Sequence, residues 1–208
     1  MAFSKTEVCN GALALLGEAT ITSIDQDNKA ARLLKRVYDS VRKQTLLAHR
    51  WNHATKRAEL AASATDPAFG FLYQFPLPSD FNSLIGVWND GLDNRNYTSE
   101  SDPYKVEGNY LLFDSSPAYV FYTADITDEG QWTPGFVEVF QHNLAIRIFY
   151  SLTKGADRYR SLQQERAVAI RQAKFSNAIE NSPEVFVAST WIDSRYENGG
   201  PLRDNNSV

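Results

Sequence analysis

Apolar residues first recur at helical spacing at Val8, Ala12, Leu15 and Leu16. The preceding Ser4-Lys5-Thr6-Glu7 has the form of a capping box, in which the Ser4 hydroxyl and the Glu7 carboxylate each satisfy a free backbone N–H. Gly17 suits the left-handed residue that closes a helix, so a first helix is predicted over residues 5–16. A polar loop from Glu18 to Asp27 follows, with Ile21 and Ile24 as its anchors into the core. Helical spacing returns at Ala30, Leu33, Leu34, Val37, Tyr38, Val41 and Leu47, predicting an amphipathic helix from Asp27 or Asn28 to Arg50.

From Thr55 the pattern changes to short aromatic runs broken by proline and glycine. Candidate strands are Phe71–Phe75, Leu84–Asn89, Tyr104–Glu107, Tyr110–Phe113 and Tyr119–Ala124. Glu107-Gly108-Asn109-Tyr110 reads as a hairpin turn, and Asn89-Asp90-Gly91 as a second turn. Helix resumes at Thr133-Pro134, an N-cap followed by proline in the first turn. Phe136, Val137, Phe140, Leu144, Ala145, Ile148, Phe149 and Leu152 give this third helix a broad apolar face. A fourth runs from Asp157 through Leu162, Ala169 and Phe175 to about Asn181, and the residues after Pro183 lack helical period.

The predicted class is α+β: a four-helix bundle with an inserted, mostly antiparallel β domain and an extended C-terminal tail. The helical domain is discontinuous, residues 1–54 and 132–182. The β domain spans 55–131 and the tail 183–208.

The net charge of −4 conceals a partition along the chain. Residues 29–57 hold nine Lys or Arg against Asp39 alone, whereas residues 59–129 hold twelve Asp or Glu against Arg95 and Lys105. A basic frame around an acidic insertion implies two surfaces meeting two environments. Cys9 is the single cysteine, which rules out an intrachain disulfide, and no run of about 20 apolar residues suits a membrane span. A soluble protein made in a reducing compartment is expected.

Catalytic chemistry is hard to find. His49 and His53 have the i, i+4 spacing of a zinc pair, but no H-E-x-x-H pattern surrounds them. They read as a helix-end residue and a surface residue. No P-loop, G-x-S-x-G, G-x-G-x-x-G or C-x-x-C occurs, and acidic residues such as Asp90, Asp93, Asp102 and Asp128 lie in turn contexts. The expectation is no enzyme, no catalytic residue, no metal and no cofactor. Arg32, Lys35, Arg36, Arg42 and Lys43 form the candidate basic face, suited to phosphates or to an acidic partner surface, and the second is preferred. Trp51 is expected to be buried at a structural corner where the second helix meets the β insertion.

Three ordered pieces resemble a known family. They are Asn10-Gly11-Ala12-Leu13-Ala14-Leu15-Leu16-Gly17-Glu18 with Ile21-Thr22-Ser23-Ile24-Asp25; Leu46-Leu47-Ala48-His49-Arg50-Trp51-Asn52-His53-Ala54 with Lys56-Arg57; and Phe75-Pro76-Leu77-Pro78-Ser79-Asp80-Phe81, followed by Trp132-Thr133-Pro134-Gly135-Phe136 and Trp191-Ile192-Asp193-Ser194-Arg195. The set resembles the tail tubular protein A family, the head–tail adaptors of short-tailed bacteriophages, with His53 standing where an aromatic such as Phe is expected. The resemblance implies a helical domain with a β insertion and a homo-oligomeric, dodecameric ring. That ring would lie in the virion tail between the portal protein and the tail nozzle protein, often touching a tail fibre. DNA would pass through its lumen without sequence-specific binding, and no membrane would be involved. It also implies synthesis in the host cytoplasm and a C-terminal segment that reaches the portal, which makes Trp191, Ile192, Arg195 and Tyr196 the portal-interface candidates. The alternatives are a nucleic-acid-binding protein acting through residues 29–57 and a cell-wall hydrolase using carboxylates of the β region.

Overall fold

A computed structural model describes residues 3–90, 103–153 and 155–180. Helix α1 (Lys5–Leu16) opens on the capping box, with Glu7 N donating to Ser4 Oγ and Ser4 N donating to Glu7 Oε2. It closes on Gly17 at φ 70°. The following loop is held by Asn10, whose side-chain amide donates to Ile21 O at 2.9 Å and accepts from Ile21 N at 2.8 Å. This pair of bonds mimics a strand pairing and sinks Ile21 into the core.

Helix α2 (Lys29–Leu47) is capped by Asn28 and stops three residues before the predicted Arg50. The chain turns there because Trp51 folds back and its indole N–H donates to Thr45 O at 2.9 Å. Six strands follow: β1 (Thr55–Leu60), β2 (Tyr73–Pro76), β3 (Phe81–Trp88), β4 (Tyr104–Glu107), β5 (Tyr110–Phe113) and β6 (Ala118–Ala124). They form two three-stranded antiparallel sheets, in the orders β1-β6-β3 and β2-β5-β4. The hairpin predicted at Gly108-Asn109 joins β4 to β5, with Gly108 at φ 58°. Strand β1 has no predicted counterpart. Of Thr-Lys-Arg-Ala-Glu-Leu only Leu60 is buried, so the segment lacks an apolar signal and owes its extension to backbone pairing along β6. Lys56, Arg57 and Glu59 suit the edge it forms.

Helix α3 (Pro134–Leu152) and helix α4 (Ala156–Ile179) complete the chain. The four helices exist, but they do not form the expected four-helix bundle. Every extensive helix–helix contact includes α3, which touches α1, α2 and α4, while α2 also meets β3. The reason lies in α3 itself. Its buried positions, among them Phe136, Val139, Phe140, Leu144, Ala145 and Phe149, are spread over roughly 300° of its circumference at about 100° per residue. A bundle helix shows one apolar stripe to a shared core, whereas a helix apolar on most sides must be enclosed. Close approach helps: a Cβ on Gly135 would lie 3.0 Å from Ala173 Cβ.

One contiguous hydrophobic cluster joins all four helices to both sheets. Cys9 lies fully within it, and burial pushes its thiol up to about 12. A polar tie crosses beside the cluster. The Arg42 guanidinium, 7% exposed, donates through Nε and Nη2 to Asp125 at 3.0 and 3.1 Å and through Nη1 to Asp39 at 2.6 Å. Asp125 follows β6, so this fork fixes α2 to the end of the central strand. Asp125→Ala leaves a desolvated guanidinium with one solvent-exposed partner and is expected to cost about 3 kcal/mol in urea unfolding. The Asp125→Ala/Arg42→Met pair should recover most of that loss, because no buried charge then remains.

Candidate functional site

Trp51 is 2% exposed and stands at the junction of α2, β1 and α3. Its ring meets Phe136 edge to face with centroids 5.3 Å apart, and His49 in the same way at 5.0 Å. Phe136 contacts Trp132 at 5.1 Å and Phe140 at 6.0 Å, and Tyr38 closes the group against Phe140 and Trp132. The Tyr38 hydroxyl donates to Glu129, and burial raises its pKa. The result is a continuous aromatic cluster linking α2, the corner and α3.

Asn177 of α4, absent from the sequence-level candidates, clamps this corner. Its Oδ1 accepts from Asn52 N at 2.9 Å, its Nδ2 donates to Arg50 O at 2.9 Å, and Asn52 Nδ2 donates to Asn177 O at 2.8 Å. The cue was the placement of Asn177 four residues beyond Ala173 and eight beyond Ala169, on the inward face of α4. Trp51→Ala removes the centre of the cluster and is expected to cost about 3–5 kcal/mol, read from the urea midpoint.

His53 was expected at the surface, and it is half-buried instead. Its ring packs on Phe136 at 4.9 Å, Thr133 Oγ1 lies 3.5 Å from Nδ1, and buried Nε2 has no hydrogen-bond partner. Burial pushes its pKa down to about 4, slightly opposed by Glu180. His49 is also lowered, by burial and then by Lys174 and Arg50. No group of three or more His, Cys, Asp or Glu placed to hold a metal occurs among the described residues. Because the unfolded chain takes up a proton near pH 6.5 and the folded His53 only near 4, its contribution is complete above pH 6.5. It is lost as pH falls toward 4. His53→Phe should therefore match or exceed wild-type stability at pH 7, and its advantage should widen at pH 5 in parallel urea titrations.

Of the five basic-face candidates, four form ion pairs within the chain. Arg42 and Lys43 meet Asp125, Lys35 meets Asp25 at 2.7 Å, and Arg32 meets Asp27 at 3.1 Å. Arg42 is committed, since its side chain is buried. The Arg32 and Lys35 pairs are exposed and weak, so those side chains can exchange partners at little cost. Arg36 has no ion pair among the described residues. Lys56 of β1 lies 2.6 Å from Asp80 and holds that carboxyl below its ordinary range together with the Tyr122 hydroxyl. The portal-interface candidates Trp191, Ile192, Arg195 and Tyr196 lie outside the described residues, as does the predicted tail 183–208.

Two of the grooves among the described residues lie beside the β region. One of about 390 Å³ lies between the end of α2 and β3, lined by Leu47, His49, Arg50 and Ile85. The other, about 450 Å³, lies between the Pro67–Phe71 loop and the β2-β5-β4 sheet, beside Tyr110 and Leu112. The first is also lined by the hydroxyls of Ser83 and Thr123, neither of which hydrogen-bonds His49 among the described residues, and Lys105 and Glu107 in the second pair with each other at 2.6 Å.

Large apolar side chains also face solvent, among them Leu47, Tyr150 and two groups, one on α4 and one on the β region. Phe175 of α4 is 69% exposed, in line with Val168 and Ile179. On the β region Phe69 is 88% and Leu72 63% exposed. The signal for the first was present in the spacing: residues 168, 175 and 179 share one side of a helix whose buried side carries Leu162, Ala169 and Ala173. No helix among the described residues is long and apolar enough to cross a membrane. Neither a scan of protein-family models nor a search of curated proteins found a match to this chain.

Proposed function

We propose that this chain is a structural assembly protein of a short-tailed bacteriophage virion. In this reading it is a head–tail adaptor that forms a homo-oligomeric ring between portal and tail nozzle and lines part of the DNA conduit. The observation that supports the reading most is where the three pieces of the sequence resemblance lie in the fold. The first forms α1, which packs on α3. The second forms the corner around Trp51. The third supplies Trp132 and Phe136 at the start of α3, and Phe136 is in contact with Trp51. The second and third pieces thus meet at one junction between helices and β region, and the first packs on the same helix α3. The exposed apolar side chains add to this, since contiguous apolar surface marks protein–protein contact.

In this role the protein binds and turns over no small molecule. Its work is to hold a rigid frame whose surfaces meet copies of itself and the neighbouring virion proteins. Negative-stain imaging of the full chain mixed with the portal protein of the same virion is expected to show rings stacked on the portal. Free chains beside bare portals would overturn the reading, the more so if the isolated monomer bound duplex DNA tightly and lost that affinity steeply between low and moderate salt.

A further inference from the structure

Two exposed apolar patches on different parts of the chain carry opposite, uncompensated charge. On α4, Val168, Phe175 and Ile179 follow one another at seven- and four-residue spacing, 41%, 69% and 67% exposed. Arg171 and Lys174 lie along one side of this stripe, about 60° and 120° around the helix from its centre, are exposed, and form no ion pair among the described residues. On the β region, Phe69 and Leu72 project from the loop before β2. Exposed Asp66 lies three residues before Phe69, and Asp114 accepts a hydrogen bond from Leu72 N at 2.9 Å, so its carboxylate is held beside that side chain. Neither acid has an ion pair among the described residues.

We propose that these patches bind each other between two copies of the chain: the α4 stripe of one copy takes Phe69 and Leu72 of the next, with Arg171 and Lys174 set against Asp66 and Asp114. This deepens the adaptor reading, on which its biological meaning rests, by naming the surfaces that meet. Two features point to a second copy as occupant. Each patch pairs apolar area with the charge that the other lacks, which steers encounter and fixes orientation. And because the surfaces differ, the contact is heterologous: each copy keeps one free surface of each kind, and such a contact closes into a ring when the rotation permits. Phe69 and Phe175 are the anchors, aromatic side chains of the sort that dominate interface energies.

The test uses the full chain and two variants, Phe69→Ser and Phe175→Ser, whose exposed side chains leave the fold intact, as melting curves will verify. In sedimentation equilibrium between about 1 and 100 µM, wild type is expected to self-associate and each variant to do so at least about tenfold more weakly. An equimolar mixture of the two variants should recover association but stop at a 1:1 dimer, because one live pair of surfaces remains. Lys174→Asp should likewise weaken assembly and regain it with Asp114→Lys. Wild type that stays monomeric throughout overturns the proposal, as does a mixture that associates no better than its components. Imaging the same proteins on the portal separates the two claims. Rings from both variants would sink this surface assignment and leave the adaptor reading standing. Head-to-tail pairing in solution with no ring on the portal, even from wild type, would do the reverse.

Discussion

Helix α3 is apolar on most of its circumference, and the rest of the molecule is arranged to keep water from it. Burial of its aromatic and aliphatic side chains is worth about 1.5–3 kcal/mol each, a driving force that a single neighbouring helix cannot collect. Three helices therefore pack on α3 from different sides, and the aromatic side chains of its first turns meet the corner that leads into the sheets. This is a hub with spokes. Each outer helix has one side on α3 and another side left for a different purpose: α2 for the sheet, α4 for whatever its exposed stripe binds.

The junction between helices and strands shows how polar groups specify an arrangement that apolar burial alone leaves loose. Trp51 contributes area, but its indole N–H also takes the Thr45 carbonyl, and so decides where α2 ends. Asn177 then satisfies the backbone of Arg50 and Asn52, which ties α4 to the same turn. Arg42 and Asp125 fix the other side of α2 to the end of β6. Each of these bonds is directional, so together they select one register for a contact that the aromatic rings would tolerate in several.

Much of this was legible in the sequence where local chemistry decides the outcome. The capping box at Ser4 and Glu7, Gly17 as helix stop, the Gly108-Asn109 hairpin and the proline-led start of α3 all depend on residues within a few positions of one another. What was not legible depends on partners distant in the chain. Strand β1 carries almost no apolar signal and exists because β6 has an open edge. The hub in place of a bundle follows from the angular spread of α3, which a list of apolar positions records without ranking. Phe175 lies in the helical run with Leu162 and Ala169 yet is exposed, because helical spacing is shared by every side of a helix. His53 shows the converse: a titratable residue in a polar stretch, enclosed because the corner folds over it.

The partition of charge along the chain also means something different once folded. Read linearly, a basic frame and an acidic insertion are complementary surfaces available to neighbours. In three dimensions several of the strongest opposites already face each other: Arg42 and Lys43 against Asp125, and Lys56 against Asp80. Of these pairings that of Arg42 with Asp125 is buried; it holds α2 to the end of β6 and removes Arg42 from outside recognition. Charge that can act on another molecule is the remainder left after internal pairing. Among the described residues that remainder includes Arg171 and Lys174 on α4 and Asp66 and Asp114 on the β region, each pair beside an exposed aromatic side chain. Charge left unpaired at two separate places and with opposite sign is what a head-to-tail contact requires. The linear charge pattern therefore has two uses, one holding the fold together and a smaller one left over for assembly.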